Sequence, residues 1–164
     1  MFRSRILRQR TFMQGRIPKF YTHLKNPLPR TAGNVDSGRM LYIKHCETCH
    51  GTKGLGSGES EKGLAPSPAL LAFMIKLPES VDPYLMWTIA DGGKPFGTDM
   101  PAFKNVLTAD QIWQIITYMR SGFRGWRISR GVAVGRLVSV NPSASAAVFA
   151  SSGCKQRRLR SAVW

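Results

Sequence analysis

Acidic residues are missing from almost half of this chain. Residues 1–35 hold eight Lys or Arg without one Asp or Glu, and residues 121–164 hold another eight, again without one. About one residue in eight is ordinarily acidic, so 79 acid-free positions do not have the composition of a folded domain. All nine acidic residues fall from Asp36 to Asp110, and residues 36–120 carry eight basic ones, a net of −1. The formal charge of +15 therefore belongs to the flanks. No aromatic-basic interleaving or docking motif accompanies it, which argues against nucleic acid as a partner. Three readings of the flanks stay open: tails for an anionic or membrane surface, a targeting segment, or sequence not native to the domain.

Other absences narrow the class. Three cysteines, Cys46, Cys49 and Cys154, do not make a disulfide framework. His23 and His45 are the only histidines besides His50, so no second Cys/His pair is present to close a tetrahedral zinc site. No strand pattern appears before position 131, which removes the strand-helix-strand setting of a thioredoxin-like redox pair. Long apolar runs are also lacking. The stretches 132–140 and 144–150 are too short or too interrupted to span a membrane. Residues 1–35 offer only apolar pairs such as Ile6-Leu7, not the run a secretory signal needs, although the Arg-rich start is like a mitochondrial presequence in composition. No internal repeat is visible.

What is there reads as helices. Pro27 and Pro29 suit an extended lead-in. A first helix is expected from Asn34 or Asp36, either of which can cap it, with Leu41 and Tyr42 facing inward. Residues 51–63 are rich in Gly and Ser and read as loop. Pro66 and Pro68 precede a short apolar helix over 69–77. Asp82-Pro83 opens a further helix through Tyr84, Leu85, Trp87 and Ile89, which stops at Gly92-Gly93. A loop over 93–101 leads to the clearest helix, capped by Thr108, with Ile112, Ile115, Ile116 and Met119 at helical spacing and an end near Gly122. The fold class expected is all-α.

Cys46-Glu47-Thr48-Cys49-His50 is the Cys-x-x-Cys-His pattern of c-type haem attachment. Two cysteines three apart on one helical turn point the same way, so both sulfurs can reach the two vinyl groups along one haem edge. His50, next in line, can then offer a ring nitrogen to the iron. The second axial ligand should come from later in the chain. Of seven methionines, Met40, Met74, Met86 and Met119 sit in helical patterns where core packing explains them, and Met1 and Met13 lie in the flank. Met100 is in a loop, after Gly97-Thr98-Asp99 and braced by Pro101. An imidazole–thioether pair favours ferrous iron and raises the reduction potential. It also fills both axial positions, which favours outer-sphere electron transfer. A haem-based sensor or peroxidase-like enzyme with an open iron site is the alternative, and it requires Met100 to be off the iron.

With these pieces in place, the stretch from about residue 26 to 122 resembles a class I c-type cytochrome of the bacterial, mono-haem kind. The matching residues are Gly38-x-x-x-Tyr42 before the motif, Gly51, Gly54-x-Gly56, Met100-Pro101-Ala102-Phe103, and the closing helix from Leu107-Thr108 through Gln111-Ile112-Trp113 to Tyr118-Met119-Arg120. The resemblance implies a small cytochrome c fold of three to five helices around one covalent haem c, with the domain at 30–122. Residues 1–29 and 123–164 are then flanks, disordered, targeting or non-native. It also implies that Gly38 and Tyr42 pack on Ile115 and Tyr118. The proximal histidine ring would donate to the carbonyl of Pro68, with Pro66 the rival. Trp87, Phe96, Phe103 and Trp113 would wall the haem or join the core. His50 and Met100 would be the iron ligands, and no residue would be catalytic. The implied function is single-electron transfer between respiratory or denitrification redox proteins, in the periplasm or on the outer face of the inner membrane.

Overall fold

A computed structural model describes residues 3–124, and among these it is helical without a strand. Six α-helical segments follow in order: α1 Arg3–Met13, α2 Ala32–His45, α3 Glu47–His50, α4 Leu71–Met74, α5 Asp82–Asp91 and α6 Ala109–Arg120. The expected all-α architecture is present. The count exceeds three to five because α3 and α4 are single turns and α1 lies in the N-terminal flank. The expectations for residues beyond 124 lie outside the described residues.

Local chemistry sets the long helices. At α6, the Thr108 side chain accepts from the Gln111 N–H (3.2 Å) while the Gln111 side chain accepts from the Thr108 N–H (2.9 Å). This reciprocal capping box satisfies two amides that have no partner within the helix. The apolar face then buries Ile112, Ile115, Ile116 and Met119, as their spacing predicts. α5 starts at Asp82-Pro83, where proline's missing N–H costs nothing, and stops at Gly92. α2 begins earlier than expected. Its cap is Thr31, whose hydroxyl accepts from the Asn34 N–H, while the Asn34 side-chain amide donates to the Pro29 carbonyl. Asn34 is thereby engaged from inside the first turn, and neither it nor Asp36 serves as cap.

The most extensive helix pair among the described residues is α2 on α6. Gly38 makes it possible: a Cβ built there would overlap the Gln114 carbonyl and touch the Tyr118 Cβ. Backbones meet where a side chain would hold them apart. One turn on, fully buried Tyr42 packs on Tyr118 with ring centroids 5.5 Å apart. Arg120 at the end of α6 pairs with Asp82 at the start of α5 (2.6 Å), and Asp82 also accepts from the Asn26 N–H (2.8 Å).

Residues 3–30 depart from the reading of the N-terminal stretch as a flank outside the fold. Ile17 and Tyr21 are core residues, and the Tyr21 hydroxyl donates to Asp91 (3.0 Å). Asn26 donates to the Thr117 hydroxyl (2.9 Å). Phe12 of α1 sits edge-on to Tyr84 and stacks near Trp87. Charge counting missed this because the anchors are few, Phe12, Ile17, Tyr21, Leu24, Asn26 and Leu28, set among eight cations.

The α2–α6 contact yields a direct test. Gly38→Ala should destabilise the protein by about 1–3 kcal/mol or more, as overpacking does where neither backbone can retreat. Denaturant unfolding monitored by far-UV circular dichroism checks it, and a midpoint within error of the parent would refute the packing.

Candidate cofactor-binding site

The Cys-x-x-Cys-His residues occupy a break and a turn. α2 ends at His45, Cys46 leaves helical geometry with its N–H still bonded to the Tyr42 carbonyl (2.8 Å), and α3 closes with His50 N–H donating to the Cys46 carbonyl (2.9 Å). Gly51 follows at φ 73°, ψ 157°, a conformation essentially restricted to glycine. The buried Tyr42 hydroxyl donates to the Gly51 carbonyl (2.8 Å), tying the turn to the helix crossing. Burial pushes the Cys46 thiol up to about 12, with Cys49 adding to the shift, so in the bare protein that sulfur is a neutral thiol.

The Gly-rich loop after the motif folds back on it. The Gly56 N–H donates to the His50 carbonyl (2.9 Å) and the Ser60 N–H to that of Thr48 (3.0 Å). A Cβ at Gly58 would overlap the Thr48 carbonyl. The Ala72 N–H then reaches the Gly54 carbonyl (2.9 Å), fixing α4 and the turn before it. That turn sets the Ala69 carbonyl 3.1 Å from His50 Nδ1. The resemblance implied the carbonyl of Pro68, or of Pro66; the acceptor at this distance belongs to the next residue, Ala69. The bond suits a neutral ring protonated at Nδ1, which makes Nε2 the lone-pair nitrogen. Pro66 and Pro68 line the same wall.

Met100 stands on the loop between α5 and α6, and that loop is pinned by backbone. The Gly93 N–H donates to the Met100 carbonyl (2.8 Å), and the Phe103 N–H bonds back to the Ala90 carbonyl (3.0 Å). Gly92 lies at φ 69°, ψ −163°, again glycine-only backbone. A Cβ there would come within 2.6 Å of the Pro101 backbone. A Cβ at Gly93 would overlap the Thr98 hydroxyl, so the loop can approach α5 only because residues 92 and 93 are both glycine.

Cys46, Cys49, His50 and Met100 line one cleft. Leu71, Met74, Leu85, Ile89, Ile115 and Met119 supply apolar wall. Its non-atom space, solvent-open mouth included, is about 1380 Å³. A haem fits this donor set: two sulfurs and a ring nitrogen converge from one wall, a thioether comes from another loop, and the surroundings are apolar. The buried Thr88 hydroxyl, also in the lining, lacks a hydrogen-bond partner among the described residues, as expected where a bound group completes the pocket.

Of the four aromatics expected at the wall or core, Phe103 lines the cleft. Trp87 and Trp113 are buried in the core, and Phe96 stands edge-on to Trp87 at 5.5 Å. Sequence reasoning missed Arg8, Tyr84 and Thr88 as lining residues, and read Met74 and Met119 as core only. Tyr84 and Thr88 lie four apart on one face of α5, and packing sets that face toward the cleft.

Residues 33–119, more than half of the chain, match the family described as cytochrome c oxidase, cbb3-type, subunit III. No curated protein matches the chain.

Gly92→Ala should force the Met100 loop off α5 and cost about 1–3 kcal/mol for the backbone conformation alone. Thermal unfolding would report it, and amide exchange should speed up locally around residues 93–103. An unchanged melting curve would show that the loop is not held as described.

Proposed function

The chain belongs to the cytochrome c oxidase, cbb3-type, subunit III family, whose c-type cytochrome domain holds haem c covalently and transfers electrons, and from that premise we propose that it is a mono-haem electron carrier. Cys46 and Cys49 would hold the haem through their sulfurs, and His50 and Met100 would bind its iron. Bound haem supplies an iron that exchanges one electron between ferrous and ferric states. What supports the assignment is the meeting of all four side chains at one apolar cleft.

The protein's part is to orient and exclude. Ala69 accepts from the His50 ring and so fixes its plane and tautomer and strengthens the other nitrogen as a donor. The Gly92-Gly93 contact holds the Met100 loop from outside the cleft, so that the thioether need not be positioned by helix geometry. The apolar walls keep water from the ring, which disfavours the additional positive charge of ferric iron and raises the potential. If His50 and Met100 both bind the iron, small molecules would find no free site on it, which favours electron transfer over oxygen or peroxide chemistry.

Redox proteins are the partners of such a domain, and we place this chain between donors and acceptors of respiration or denitrification. A c-type cytochrome domain points to an extracytoplasmic location; the periplasm or the outer face of the inner membrane is the specific proposal. No helix among the described residues is long and apolar enough to cross a membrane. The basic flanks are proposed to aid association with an anionic membrane surface.

Two spectra test the site. Haem absorbance should stay with the chain in denaturant, and a Cys46→Ala, Cys49→Ala double variant should lose it. Met100→Ala should convert a six-coordinate low-spin spectrum to one that binds carbon monoxide readily. It should also shift the one-electron equilibrium toward ferric by tenfold or more, about 59 mV per decade. The parent low-spin spectrum surviving in Met100→Ala would remove the methionine from the iron and favour an open-site haem enzyme.

A further inference from the structure

Arg8 sits on α1, outside the residues that match the family. The residue is only 7% exposed, and it lines the cleft that holds Cys46, His50 and Met100. A guanidinium has five N–H donors. One nitrogen, Nη2, donates to the Gly92 carbonyl (2.8 Å), and the Phe96 ring lies 5.0 Å from Cζ. The ion pairs among the described residues are Lys104–Asp91 and Arg120–Asp82, so Arg8 takes part in neither. Asp99, the carboxylate in the lining, is exposed on its loop.

A buried cation outside any ion pair is costly, because little of its hydration is replaced. Burial does lower the Arg8 pKa from its ordinary value, yet an arginine stays charged in a protein. An anionic ligand group entering the cleft would relieve that cost. The unpartnered Thr88 hydroxyl lies in the same lining and is a second polar group there that a ligand could satisfy. Haem carries two ionised carboxylate side chains, and Arg prefers carboxylates for their matching fork geometry.

We propose that Arg8 is the counter-charge for a carboxylate side chain of the bound haem and thereby holds the iron's reduction potential up. The proposal rests on the haem reading given above. Ferric haem carries one more positive charge than ferrous. A fixed cation nearby disfavours the ferric state, and neutralising a carboxylate removes a charge that would favour it. Both effects have the same sign. Since α1 supplies this charge, the N-terminal segment becomes part of the cofactor site, not a neighbour of it.

The test is a potentiometric titration of the haem-loaded full chain, with absorption spectra in both redox states and an intact mass. Arg8→Gln should move the equilibrium toward ferric at least tenfold at fixed ambient potential, 59 mV for one electron, with the low-spin spectrum unchanged. Arg8→Lys, which keeps the charge, should stay within about threefold of the parent. Arg8→Met retains the apolar stem and serves the same comparison if the Gln variant does not accumulate. An unchanged potential beside a loss of stability would reduce Arg8 to a strut between α1 and Gly92, and overturn the proposal. So would an equal fall in Arg8→Lys, a lost low-spin spectrum in Arg8→Gln, or a haem-loaded mass lacking α1. Failure of the haem reading itself shows separately, as pigment lost in denaturant from the parent protein.

Discussion

The backbone contact of α2 with α6 at Gly38 is the constraint from which the site follows. Because no side chain intervenes, the Gln114 carbonyl lies where a Cβ would stand, and the next turn of α2 brings Tyr42 against Tyr118. Tyr42 then has its hydroxyl over the Gly51 carbonyl, directly after the Cys-x-x-Cys-His turn. On α6, the same crossing turns Ile115 and Met119 into the cleft. One steric fact thus sets both the wall that carries the motif and the apolar surface beside it. A longer side chain at position 38 would part the helices and loosen each of these in turn.

Each of the two walls that carry the candidate ligands is built on a glycine in a conformation that other residues avoid. On the motif wall it is Gly51 (φ 73°, ψ 157°); at the Met100 loop it is Gly92 (φ 69°, ψ −163°). Each is followed by chain that doubles back close enough for main-chain hydrogen bonds. Gly56 reaches His50 in one case, and Gly93 reaches Met100 in the other. The candidate ligands are thus positioned through backbone, which has fewer free torsions than side-chain contacts. Redox chemistry benefits from that rigidity, since a metal whose ligands scarcely move between oxidation states spends little energy on rearrangement.

How much of this was legible depended on whether the signal was local. The Thr108–Gln111 capping box, the Asp82-Pro83 start and the Cys46-x-x-Cys49-His50 turn are written within five residues each, and the structure has those helices and that turn where the residues imply. Met100 stood out because a loop methionine before proline lacks the core-packing explanation its helical counterparts have. The Ala69 acceptor was missed by one residue. That choice turns on how the chain comes out of Pro68, which depends on the distant Gly54 carbonyl holding Ala72. The cap of α2 went astray for a related reason: Thr31, Asn34 and Asp36 are all competent N-caps, and Pro29 decided among them by engaging Asn34. Tyr84 and Thr88 needed the orientation of α5, which only packing supplies.

Charge is the feature that changed meaning most. Summed along the chain, basic residues separate cleanly from a balanced middle, and the separation reads as a domain with tails. Net charge speaks to solubility and association, however, and not to fold. Within residues 3–30 the determinants of folding are the few apolar and amide side chains between the cations. Phe12 finds Tyr84, Ile17 and Tyr21 enter the core, and Asn26 finds Thr117. Once those anchors dock, the cations are carried along, and one of them has nowhere to go but inward. Arg8 lies one turn before Phe12 on α1, so the helix face that seats Phe12 also turns Arg8 toward Gly92 and Phe96. A composition argument weighs that arginine equally with exposed Arg10. The periodicity of α1, 3.6 residues per turn, is what sets them apart.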